Sequence, residues 1–165
     1  MVGEVELINA EKVDGKNVSI KDDQFFATSK KLNDIEGLTN SSLDNKFTGE
    51  IIKLKEGKHI DESSVHEMLV HETFAKENGL KLGDIVEITQ TNQNSIPYKS
   101  VLQEPIKLTV VGIFTGDSRG AGTNPFELVE NLLITDIDTV KELYDYNEDD
   151  AIYQTAQFFV NDPKE

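Results

Sequence analysis

Apolar residues fall in short runs that alternate with polar ones, and turn-forming residues separate the runs. Val5, Leu7 and Ile8 open the chain as a first strand, and Asp14-Gly15 marks a type I′ hairpin turn. Val18 and Ile20, then Gln24 to Thr28, continue in strand spacing. Lys30 to Glu50 is polar and interrupted by Gly37, Asn40, Ser41, Ser42, Asn45 and Gly49, which predicts loops with short ordered pieces and no helix before residue 60. Ile51 to Leu54 returns to strand, Glu56-Gly57-Lys58 turns, and Met68-Leu69-Val70 reads as a short buried strand. His71 to Asn78 has helical spacing, and Gly79 stands where a helix C-terminus favours positive φ. Ile85 to Ile88 and Ile106 to Phe114 are strands, the second the strongest in the chain. Leu132 to Ile134 is again a strand. Asp136 or Asp138 then caps a helix to about Tyr144, with Val140 and Leu143 facing inward, and Gln157 to Val160 closes the pattern as a strand. Strands with two short helices inserted, without regular βαβ alternation, predict a mixed, β-rich α+β fold.

Length and charge narrow the function. The 165 residues suit one domain, 1–165, with room for two lobes. The 31 acidic against 16 basic side chains give a formal charge of -15. Such a surface repels phosphate backbones and anionic lipid headgroups, which argues against nucleic-acid partners and basic-patch membrane binding. It is a well-solvated surface, and the charge would also attract cationic peptides. No cysteine is present, so disulfides, thiolate zinc sites and thiol nucleophiles are excluded. No apolar run approaches the ~18–20 residues of a membrane span.

The candidate chemistry is sparse. His66-Glu67 and His71-Glu72 invite a zinc-peptidase reading, but the imidazoles are five residues apart, which on a helix turns them about 140° from each other. His71-Glu72 reads instead as a helix start. Gly116-Asp117-Ser118-Arg119-Gly120-Ala121-Gly122-Thr123 is rich in glycine but lacks the Gly-Lys-Ser/Thr ending of a phosphate-binding loop. Asp145 to Asp150 resembles the opening of a calcium loop, yet Asp150 stands where glycine is needed and Ala156 where the closing glutamate belongs. We therefore expect no catalytic residue, no metal and no cofactor in this chain. The loop Thr115 to Asn124 and the polar excursion Gln90 to Gln103 are the expected contact regions, with Asp117, Ser118, Arg119, Asn124 and Tyr98 as candidate contact residues.

Four segments carry a family resemblance. Leu54-Lys55-Glu56-Gly57-Lys58-His59-Ile60 resembles the "L-x-E-G-R/K-x-I" element of the extracytoplasmic domains of MacB/FtsX-type ABC-transporter permeases. Met68 to Ile88, with Leu80-Lys81-Leu82-Gly83-Asp84, is similar to the strand, helix, turn and strand that follow in that family. Leu108-Thr109-Val110-Val111-Gly112-Ile113-Phe114 and Glu130-Asn131-Leu132-Leu133-Ile134-Thr135-Asp136 are similar to its next two elements. The likeness covers about residues 43 to 162 and is greatest to the Gram-positive branch, which includes antimicrobial-peptide exporters.

The resemblance implies a MacB-like domain outside the cytoplasm, held at the cell membrane's extracellular face. It implies a permease homodimer or heterodimer and a cognate ATP-binding subunit that binds ATP in the cytoplasm. It implies mechanotransmission or export, with a cationic peptide as a candidate substrate, and no enzymatic activity of the domain's own. The family's strand–helix–strand opening and its final helix are not evident, so the chain is expected to be cut at both ends. Two other readings stay open: a stand-alone β-barrel-type binding module, and a hydrolase built on the histidines.

Overall fold

A computed structural model describes residues 7–12, 33–90, 105–117 and 128–143. In chain order these form β1 (Leu7–Lys12), β2 (Asn33–Leu38), a 3-10 turn (Ser41–Leu43) and α1 (Asn45–Thr48). Then follow β3 (Ile52–Gly57), β4 (Glu67–His71), α2 (Glu72–Asn78), β5 (Ile85–Gln90) and β6 (Ile106–Gly116). A second 3-10 turn (Val129–Asn131), β7 (Leu132–Asp136) and α3 (Ile137–Leu143) complete the described chain. The α+β class is as expected.

All seven strands join one mixed sheet in the order β3-β6-β4-β7-β2-β1-β5, and β5 also pairs with β6. That last pairing closes a six-strand ring running β6-β4-β7-β2-β1-β5 and back to β6. β6 is long enough to serve two partners on one edge. Its first half pairs antiparallel with β5, from Ile106↔Ile88 to Thr109↔Ile85. Its second half pairs antiparallel with β3, from Gly112↔Gly57 to Gly116↔Ile52. β4 lies parallel along the other edge, from Thr109 to Phe114.

A bulge makes this hand-over possible. The β4–β6 register advances by one on β4 and two on β6 between Met68↔Val110 and Leu69↔Gly112, so Val111 is the extra residue. Consecutive residues Val110 and Val111 can then both face the outer edge. Val110 exchanges hydrogen bonds with the 83–84 turn, and the Val111 carbonyl accepts from Lys58 N at 3.0 Å. Gly112 permits the approach, because a Cβ there would lie 2.6 Å from the Lys58 oxygen and 2.5 Å from Leu69 Cδ2.

The strand period of two separates two apolar clusters across this sheet. Met68, Val70, Val86, Ile88, Ile106, Leu108, Val110 and Leu133 form one, joined by Phe74 and Ala75 of α2 and Leu143 of α3. Ile52, Ile60, Leu69, Phe114, Leu132 and Ile134 form the other, on the opposite side of β4 and β7, with Phe47 of α1 packed against it. β4 and β7 are covered on both faces, which is why Met68 to Val70 and Leu132 to Ile134 are continuous apolar runs.

Three expectations are corrected. The stretch 30–50, read as loops with short ordered pieces, contains a full strand of the sheet, β2, which β7 pairs in parallel from Asp34↔Leu132 to Leu38↔Asp136. It also contains α1, so the described residues hold three helices rather than two and one lies before residue 60. Thr115 and Gly116, assigned to the loop, are the last residues of β6. The anticipated strands at 18–20, 24–28 and 157–160, the 14–15 turn and the acidic 145–150 segment lie outside the described residues.

Candidate contact site

α2 starts where it does because His71 caps it. His71 has extended backbone, and its Nδ1 accepts from Thr73 N at 3.1 Å. At the other end Gly79 takes the left-handed conformation (φ 62°), and Leu80 N donates to the Ala75 carbonyl at 2.8 Å. This is a Schellman closure, with Leu80 folded back into the core as the pattern predicts. α3 is capped by Asp136: Oδ1 accepts from Thr139 N and Oδ2 from Thr139 Oγ1, both at 2.8 Å. Of the two candidates, Asp136 is the cap and Asp138 stands in the first turn.

The α2 N-terminus is tied to the end of β6. His71 Nε2 donates to the Gly116 carbonyl at 2.8 Å, and its ring packs edge-to-face on Phe114, centroids 5.4 Å apart. The two hydrogen bonds require the Nε2–H tautomer with a bare Nδ1. Glu72 accepts from Thr115 Oγ1 at 2.5 Å and from Lys55 Nζ on β3 at 2.7 Å. The Lys55 hydrogen bond, followed by that of Thr115, holds the Glu72 carboxyl below the usual carboxylate range. These groups fix the chain's exit from the sheet at Asp117, which is exposed.

Of the candidate contact residues, Asp117 is the one the structure describes. Ser118, Arg119, Asn124 and Tyr98 lie outside the described residues. The structure brings Lys55, Glu72 and Thr115 together at the base of the candidate loop, a constellation missed in the sequence. Its signal was indirect, since Lys55 and Thr115 belong to strands whose pairing the sequence does not reveal.

The histidines do not converge. His66 Nε2 meets Glu142 Oε2 at 2.6 Å on α3, whereas His71 faces Gly116. His59 Nδ1 and Ser41 Oγ are hydrogen-bonded at 2.9 Å, and that same oxygen accepts from Ile60 N at 3.0 Å. Burial against Phe47 lowers the His59 pKa below the ordinary imidazole value. Among the described residues no group of three or more His, Asp or Glu is placed to hold a metal ion, and no helix is long and apolar enough to cross a membrane.

No protein family's sequence profile and no curated protein matches the chain. Among solved structures, it is similar to a domain of a protein assigned as a permease from Porphyromonas gingivalis, with a TM-score of 0.37 and 14% identity. The match covers 88% of this chain, which spans 58% of that one.

Proposed function

We propose that this chain is the external domain of a membrane-anchored ABC-transporter permease of the MacB/FtsX type and acts by contact rather than by bond chemistry. The observation that carries the reading is the order and spacing of the four family-like segments, which fold here as one connected unit. The Leu54–Ile60 segment supplies the end of β3, Leu54 to Gly57, and the strand-exchange contact from Lys58 N to Val111 O. Met68 to Ile88 supplies β4, α2 and β5, Leu108 to Phe114 lies within β6, and Glu130 to Asp136 supplies β7. The glycines of those segments stand at the close approach of β3 to β6 (Gly57, Gly112) and at the Val110 contact (Gly83). The segments thus depend on one another sterically, as parts of a single architecture would.

In this reading ATP is hydrolysed on a separate cytoplasmic subunit. Movement of the permease helices reaches the external domain, which passes it to a twin subunit, a partner or a peptide. The His71–Glu72 tie suits such a role, because it joins α2, β3 and the end of β6 through hydrogen bonds instead of through apolar packing alone. The domain has no reaction, cofactor or metal of its own.

The closed strand ring favours a second reading, a free-standing barrel module that binds a ligand. The native gene product separates the two. Fractionation with the membrane, resistant to carbonate extraction, supports the permease; a fully soluble product contradicts it.

A further inference from the structure

The chain's three histidines differ in what claims their ring nitrogens. His66 Nε2 lies 2.6 Å from the Glu142 carboxylate, which accepts a proton-bearing nitrogen readily. His59 Nδ1 meets the Ser41 hydroxyl, a group that can donate or accept and so adapts to either charge state of the ring. His71 has no such freedom. Both of its nitrogens are held by backbone groups whose roles are fixed. Thr73 N–H can only donate, and it donates to Nδ1 at 3.1 Å. The Gly116 carbonyl can only accept, and it takes the Nε2 proton at 2.8 Å. The residue is buried.

A proton on Nδ1 and the Thr73 bond therefore exclude each other. An imidazolium has two N–H donors and no acceptor. The Gly116 bond survives protonation and becomes charge-assisted. The Thr73 bond does not survive, and α2 loses its side-chain cap. Glu72 is the first residue of that turn, so the loss extends to its bonds with Thr115 of β6 and Lys55 of β3. Phe74 and Ala75, buried in the core, anchor the rest of the helix.

The charged groups around the ring come from several elements. Glu72 of α2 follows His71 directly. β3 carries Lys53, Lys55 and Glu56, and the two lysines are paired with Glu50 and Glu72. At the far end of β4, Glu67 is paired with Lys58. The 129–131 turn, packed against β4 and α2, carries the buried Glu130. β6 brings the neutral Phe114 and Thr115 before the exposed Asp117. With both β3 lysines engaged by carboxylates, Glu72 is the charge placed to receive an imidazolium at residue 71.

We propose that His71 is a proton-operated catch at the start of α2. Neutral, the ring caps the helix and holds the end of β6. Protonated, it keeps β6 and lets the first turn of α2 go, which loosens the tie from α2 to β3. The inference stands on the ring's two hydrogen bonds and not on the permease reading.

The test follows two signals by NMR in one sample of the 165-residue chain: the His71 ring resonances and the exchange rate of Thr73 N–H, corrected for the intrinsic effect of pH. The pH is lowered stepwise from 7.5 to the global acid transition. The expected result is a fall of about fivefold in Thr73 protection, the size of one cap, in step with the ring's titration. Val110 N–H, bonded to the Asp84 carbonyl, should keep its protection. His71→Asn retains a capping acceptor that does not titrate, and its Thr73 protection should be flat with pH. His59→Asn and His66→Asn should respond as the parent does. The proposal is overturned if Thr73 stays protected while the ring takes up its proton, or if the ring stays neutral until the whole chain unfolds. It is equally overturned if the acid response persists in His71→Asn or vanishes in either of the other variants. Should His71→Asn fail to fold, the two signals of the parent decide the matter alone. A soluble gene product would contradict the permease reading and leave this measurement unaffected.

Discussion

His71 and Gly116 are 45 residues apart in sequence and joined by one 2.8 Å hydrogen bond, from the imidazole Nε2 to the backbone carbonyl. The same ring caps α2 through Nδ1. One buried side chain therefore both starts a helix and holds the end of β6, the longest of the described strands.

Replacing that ring should be costly. His71→Ala leaves Thr73 N and the Gly116 carbonyl without their partner and opens space beside Phe114, and is expected to cost about 2–4 kcal/mol. His71→Phe keeps the ring volume and should recover part of the loss. Urea unfolding of the two variants beside the parent gives the comparison.

Two glycines should respond differently to alanine. At Gly79 (φ 62°) nothing lies within 4 Å of the added Cβ, so the cost is backbone strain alone, about 1–2 kcal/mol. At Gly112 the Cβ would press on the Lys58 carbonyl and Leu69, and the strand exchange must shift. We expect about 3 kcal/mol or more, with earlier hydrogen exchange along β3 and β6. Equal costs at the two sites would contradict the account of the bulge.

Much of this was legible in the chain because local chemistry decided it. Met68 to Leu80 combines a buried run, a helix with an N-terminal cap and a C-terminal glycine, and each signal acts within a turn or two. β2 was not legible. Asn33-Asp34-Ile35-Glu36-Gly37-Leu38 is polar and contains a glycine, so its propensity is poor. It is a strand because β7 pairs with it in parallel and because α3 lies against Gly37, where a Cβ would meet Val140 Cγ2 at 2.7 Å. Ring closure was equally hidden, since it depends on β6 changing partners from β5 to β3 at a one-residue bulge. Of the contact residues, Asp117 alone could be placed, and the Lys55–Glu72–Thr115 grouping needed the β3–β6 register.

The pH dependence of stability should report on His59. Burial lowers its pKa in the folded protein, so the unfolded chain takes up the proton first. The stability associated with the neutral ring is present above the ordinary imidazole pKa of about 6.5. It is lost as pH falls below that value toward the folded one. His59→Asn keeps a hydrogen-bonding side chain beside Ser41 but does not titrate, and should make unfolding free energy flatter between about pH 7.5 and 5.5. Denaturant titrations at those two pH values supply the difference, and an unchanged slope would assign the titration elsewhere.

The α3 cap offers a further check. Asp136→Ala removes acceptors for both Thr139 N and Thr139 Oγ1 and should cost about 1–2 kcal/mol, with α3 losing amide protection first. Asp138→Ala, at an exposed position in the same turn, should cost less than about 0.5 kcal/mol. Circular dichroism melts with exchange mass spectrometry distinguish the two.

The central claim is that this folded unit is held outside a cell and serves a permease by contact. The most direct measurement expresses the full natural gene product with an epitope tag in the 165-residue region and treats intact protoplasts with protease. The account predicts that the product sediments with the membrane and that the tag is cleaved without lysis. A tag protected until the protoplasts are lysed, or a product found wholly in the soluble fraction, would contradict it.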